Sequence, residues 1–96
     1  MTHVRITLIG KPGCHLCDDA RAVVERVRGE ARERDGVETS LEELDILADA
    51  ALARKHSEDI PVVLVNGRRH AIWRVDPERF ASALAKAARR PRLGRG

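Results

Sequence analysis

The stretch that decides the fold runs Val4-Arg5-Ile6-Thr7-Leu8-Ile9-Gly10-Lys11-Pro12-Gly13-Cys14-His15-Leu16-Cys17. Val4 to Ile9 alternates apolar side chains with Arg5 and Thr7, which predicts a short strand, and Gly10-Lys11-Pro12-Gly13 punctuates a turn. Beyond it, Leu16, Ala20, Val23 or Val24, Val27 and Ala31 recur at steps of three and four while Asp18, Arg21, Glu25, Arg28 and Arg32 fall elsewhere. That is the period of an amphipathic helix. Both cysteines of the chain, Cys14 and Cys17, therefore sit where a strand turns into a helix.

Outward from this joint, Asp35-Gly36 ends the helix and the stretch from Ser40 to Ile46 reads as a second strand. Asp49 is a helix N-cap for a short helix reaching His56. Ile60-Pro61-Val62-Val63-Leu64-Val65 is an almost unbroken apolar run, as in a strand buried on both faces. Asn66-Gly67 is a hairpin turn that folds it back onto Arg69 to Trp73. Asp76-Pro77-Glu78 supplies an N-cap, a first-turn proline and an early acid for a last helix, whose buried stripe is Phe80, Ala83, Leu84 and Ala87. The order is β-α-β-α-β-β-α. It predicts an α/β fold of three layers, with a four-stranded mixed sheet covered fully by helices on its two faces. Residues 1–90 form one domain and residues 91–96 a flexible basic tail.

Composition narrows the class. Ninety-six residues support one hydrophobic core, and 43% hydrophobic with 34% charged residues is a globular rather than a disordered balance. No stretch approaches the roughly 18 apolar residues of a membrane helix, and the first residues lack a secretory h-region, so a cytoplasmic location without membrane partners is expected. The formal charge is +3, but Arg89, Arg90, Arg92 and Arg95 crowd the last eight residues, and without those eight the chain has 14 basic against 15 acidic side chains. The basicity belongs to the tail. Trp73 and Phe80 are the only aromatic residues among Phe, Trp and Tyr. Single-strand readers interleave charge with stacking platforms, so nucleic acid is a poor candidate partner.

In a reducing compartment a lone Cys-x-x-Cys is poorly explained as a structural staple. A structural zinc needs about four ligands, and beside Cys14, His15 and Cys17 there is no second Cys-x-x-Cys. Asp18 stands where haem attachment would need His. Redox chemistry suits the position better, because a helix N-terminus favours an anion and Lys11 adds a cation, so both stabilise a Cys14 thiolate. With two residues between them, Cys17 lies within disulfide reach of Cys14 and faces the helix body. Cys14 is then the attacking sulfur and Cys17 the resolving one.

Lys11-Pro12-Gly13-Cys14-His15-Leu16-Cys17 after a strand, with Ile60-Pro61 opening a later one, resembles the glutaredoxin branch of the thioredoxin fold over residues 4–88. The resemblance implies a thiol-disulfide oxidoreductase whose only cofactor is its own dithiol. It also implies that Lys11 activates the nucleophile, that Pro61 is cis and faces the disulfide, and that the Ile60 backbone pairs with the substrate. Two departures have consequences. His15-Leu16 replaces the usual Pro-Tyr, and a His15 imidazolium beside Cys14 would favour the thiolate, with Asp18 opposing it. The Gly-Gly pair that receives glutathione is replaced by Ala71-Ile72, whose side chains crowd a close backbone approach. Glutathione is thus a possible but disfavoured co-substrate, with a thioredoxin reductase as the rival electron donor.

The expected protein is a monomer acting on a disulfide-containing protein or small molecule. The alternative is a non-catalytic thioredoxin-fold binding module sharing a metal or cluster between two chains. Trp73 is expected in the core or, failing that, at a substrate lip near Pro61. His3, His56 and His70 are expected at the surface.

Overall fold

Strand β1 (His3–Gly10) buries Val4 and every residue from Ile6 to Gly10 because it lies inside a four-stranded sheet of order β2-β1-β3-β4. The computed structural model describes residues 3–89; the basic tail at 91–96 lies outside them. Helix α1 (His15–Asp35) carries the chain across the sheet, so β2 (Glu38–Asp45) pairs parallel to β1, from His3 opposite Glu38 to Gly10 opposite Asp45. Gly36 ends α1 in the left-handed region at φ 67°, its N–H bonding to the Arg32 carbonyl at 3.0 Å.

A single 3-10 turn (Ile46–Ala48) and helix α2 (Ala50–His56) follow, α2 starting where the Asp49 carboxylate accepts from the Ala51 and Leu52 N–H groups. Strand β3 (Val62–Val65) then runs antiparallel to β1, and β4 (Arg68–Ile72) antiparallel to β3. The hairpin between them is Asn66-Gly67 as expected, both residues at positive φ. Asn66 also clips the hairpin to β1, since its side-chain oxygen accepts from the Arg5 N–H at 2.8 Å. Helix α3 (Pro77–Arg89) opens on Pro77, with the Asp76 carboxylate accepting from Glu78 and Arg79.

Alternation assigns the two faces of β1. Val4, Ile6 and Leu8 join Ala20, Val24, Val27 and Ala31 of α1 and Phe80 and Leu84 of α3 in the larger core cluster. Full burial of a side chain such as Phe80 or Leu84 is worth about 1.5–3 kcal/mol. The opposite face holds a smaller cluster, Ile9, Ile46 and Val62 with Leu52 and Ala53 of α2 against it. The expectation of a fully covered sheet needs correction here. Helix α2 has seven residues and none is buried, so it shields one end of that face only. Arg5, with Ser40 opposite it, and Glu42 on the same face stay exposed.

Pairing direction gathers four segments at one end of the sheet. Parallel β1 and β2 both finish there, β3 begins there with Val62 opposite Ile9, and β4 finishes there with Ile72 opposite Val62. The Cys14 turn, the 3-10 turn, Ile60-Pro61 and Trp73 therefore meet around one rim. No described helix is long and apolar enough to cross a membrane.

Candidate functional site

Cys14 is the N-cap of α1: its backbone is extended (φ −98°, ψ 113°) and its sulfur accepts the Cys17 N–H at 3.2 Å. A sulfur replaces the usual capping oxygen, so one of the helix's unpaired first-turn N–H groups points at the Cys14 sulfur. Gly13 makes the turn possible at φ 78°, a conformation that glycine adopts without steric cost. Cys14 is partly exposed and Cys17 is buried at 1% exposure, and both are free thiols.

Burial pushes the Cys17 thiol up to about 11, and its hydrogen bond and charge interaction with Cys14 add to the rise. The main-chain N–H of Lys11 and the Arg21 guanidinium work the other way. Arg21 is fixed by Glu43 and Asp18, with nitrogen–oxygen distances of 2.9 Å to each, which hold it firmly protonated. Asp18, expected to oppose a Cys14 thiolate, is one of the two partners of Arg21. A cavity of about 210 Å³ opens beside Cys17, lined among others by Leu8, Gly10, Pro12, Arg21 and Asp45.

Gly10 carries a role that turn punctuation alone did not signal. A Cβ built there would stand 2.7 Å from the Cys17 sulfur and 3.2 Å from its Cβ. The last residue of β1 must be glycine for the Cys17 sulfur to fit where it does. Glycine ending a strand is a known sign of close approach.

Lys11 and His15 are both exposed on the turn and first helical residue that flank Cys14. The Ile60–Pro61 bond is cis, Ile60 is half-buried and Pro61 is fully buried. Among the described residues no backbone hydrogen bond engages Ile60, while the Pro61 carbonyl accepts from the Trp73 N–H at 2.8 Å. Trp73 is not in the core. It is 52% exposed, sits just beyond β4 at φ 69°, and donates its indole N–H to the Glu58 carbonyl at 3.1 Å.

A bulge explains its place. The register shifts between Val63 and Leu64, so His70 is an extra residue in β4 and Trp73, not Ile72, comes opposite Pro61. His70 is half-buried with its ring centroid 5.6 Å from that of Phe80, and His56 is partly buried too, so of the three histidines assigned to the surface only His3 is exposed. Burial, with Arg79 nearby, holds His70 below the usual imidazole value. No three His, Cys, Asp or Glu side chains converge as a metal cage among the described residues.

The model of a glutaredoxin-like domain (DUF836) matches residues 5–85. The chain belongs to that family. This glutaredoxin-like domain is 24% identical over 90 residues to an uncharacterized protein of Mycobacterium tuberculosis, covering 91% of this chain and 89% of the relative. Among solved structures it is similar to a structural-genomics target from X. campestris, with a TM-score of 0.66 and 26% identity over 84% of this chain and 96% of that one. It also superposes on chloroplastic thioredoxin z with a TM-score of 0.66, at 14% identity, covering 90% of this chain and 79% of the thioredoxin. The last likeness establishes the thioredoxin-like fold of the domain.

Proposed function

We propose that this glutaredoxin-like domain is a thiol-disulfide oxidoreductase in which Cys14 attacks and Cys17 resolves. The observation that carries the reading is the asymmetry of the pair: a partly exposed sulfur capping a helix N-terminus, and a buried one a turn later whose N–H it accepts. In the first step the Cys14 thiolate bonds to one sulfur of a substrate disulfide and the other sulfur leaves as a thiolate, which takes up a proton. In the second, Cys17 gives up its proton and attacks the Cys14 sulfur. The remaining substrate thiol departs, and the pair is left as a disulfide. Two electrons have passed to the substrate, and an external donor, glutathione or a reductase, must return them.

Lys11 and His15 are the cations we assign to tuning the Cys14 thiolate, and Ile60-Pro61 the segment beside which a substrate chain lies. An unengaged Ile60 backbone supports the second assignment, since it leaves a donor and an acceptor for a substrate main chain. Ala71 and Ile72, which stand in place of the glycine pair that would let glutathione approach closely, are committed to β4, and Trp73 follows at the strand end. A peptide disulfide is therefore the preferred substrate over glutathione disulfide.

The test is reduction of a fluorogenic peptide disulfide by the pre-reduced chain in a single turnover. The wild type should release two substrate thiols while losing two of its own, and Cys14→Ser should release none. Full activity in Cys14→Ser would remove the assignment.

A further inference from the structure

A cavity of about 700 Å³ opens between β4 and α3, more than three times the volume of the one beside Cys17. Four cationic side chains line it: Arg68 and Arg69 from β4, and Arg79 and Lys86 from α3, against a single acid, Glu78. Its apolar lining is aliphatic, with Val65 of β3 and Ala83 and Ala87 of α3. His70, its one ring, already packs against Phe80.

The charge pairing of the molecule is lopsided in a way that singles this groove out. Among the described residues all six ion pairs join an arginine of α1 (Arg21, Arg26, Arg28, Arg32 or Arg34) to an acid on α1 or β2. Arg68, Arg69, Arg79 and Lys86 take part in none of them. Cations on an edge strand deter sheet-to-sheet association, which accounts for Arg68 and Arg69 on β4. It does not account for Arg79 and Lys86, which come from a helix and line the same cavity.

We propose that the groove between β4 and α3 docks an acidic, aliphatic-bearing polypeptide segment of a protein partner. Carboxylates meet the four cations, and small aliphatic side chains meet Val65, Ala83 and Ala87. A nucleic-acid strand fits less well, because the groove has no free aromatic face on which a base could stack. The hairpin end of this groove lies at the opposite end of the sheet from Cys14, beside Arg5 at the start of β1. A partner held there leaves the dithiol open, so docking and disulfide exchange proceed together.

Fluorescence anisotropy with a fluorescein-labelled peptide of alternating Glu and Leu tests this. Wild type should bind it saturably and more weakly as salt rises. Arg68→Glu/Arg79→Glu should weaken binding about tenfold, equivalent to about 1.4 kcal/mol. Arg26→Glu/Arg34→Glu, which changes the net charge by the same amount on α1, should stay within about threefold of wild type, an allowance of about 0.7 kcal/mol. Should the first double variant fail to fold, Arg68→Gln/Arg79→Gln carries the same expectation at smaller amplitude. Equal losses in the two double variants would reduce the effect to net charge. Tighter binding of an oligothymidylate than of the peptide would assign the groove to nucleic acid. Either result, or no saturable peptide binding, overturns the proposal.

Discussion

Replacing Gly10 by alanine should separate the two halves of the reaction. The added methyl carbon would lie 2.7 Å from the Cys17 sulfur, whereas non-bonded carbon contacts settle at about 3.5–4.0 Å. The sulfur must therefore move by about 1 Å, and it has little room because the residue is buried on a helix packed against the sheet. Overpacking of this kind costs about 1–3 kcal/mol of stability. The functional effect is larger and selective: a 1 Å misplacement of a reacting group costs about 100-fold in rate, and only the Cys17 sulfur, proposed as the resolving one, is displaced. Cys14 attack should keep its wild-type rate while the mixed disulfide persists about 100-fold longer. Rapid acid quench followed by intact-mass spectrometry measures both phases. Equal rates for the variant and wild type in the second phase would refute the reasoning, as would an equal slowing of both.

Three further outcomes follow from the same geometry. Burial raises the Cys17 thiol to about 11 from an ordinary thiol value of 9.0, so between those values the unfolded reduced chain loses this proton first. Stability of the reduced protein, measured by urea unfolding, should fall as pH rises through that window, and Cys17→Ala should lack that fall. At φ 69°, Trp73→Gly should be more stable than Trp73→Ala by about 1 kcal/mol, since both lose the indole and only alanine keeps the left-handed cost; equal stabilities would argue against the strain. Asp76→Ala removes the acceptor for the Glu78 and Arg79 N–H groups and should cost about 1 kcal/mol in thermal or urea unfolding.

Local chemistry made much of the fold legible. Asn66-Gly67 specifies a turn that needs positive φ twice, Asp76-Pro77 specifies a helix start, and the step from Ile9 to Cys14 places the thiols at a strand-to-helix joint. The remaining features depend on contacts between distant segments. Gly10 reads as turn punctuation until α1 brings the Cys17 sulfur against it. Trp73 reads as core because an indole in a small domain is usually buried; the extra residue at His70 shifts every later position of β4 by one, setting the Trp73 N–H against the Pro61 carbonyl and the indole against the Glu58 carbonyl. The open face of the sheet was hidden for a similar reason, since a seven-residue helix follows the pattern of a covering helix without being long enough to cover.

The central claim is that Cys14 attacks and Cys17 resolves, and trapping tests it most directly. Cys17→Ser, reduced and mixed with an excess of a peptide disulfide, should accumulate one stoichiometric mixed disulfide, located at Cys14 by peptide mapping and stable until a reductant is added. Cys14→Ser under the same conditions should remain unmodified, because its remaining thiol is buried and protonated. Equal adduct formation in the two variants, or an adduct on Cys14→Ser alone, would contradict the account.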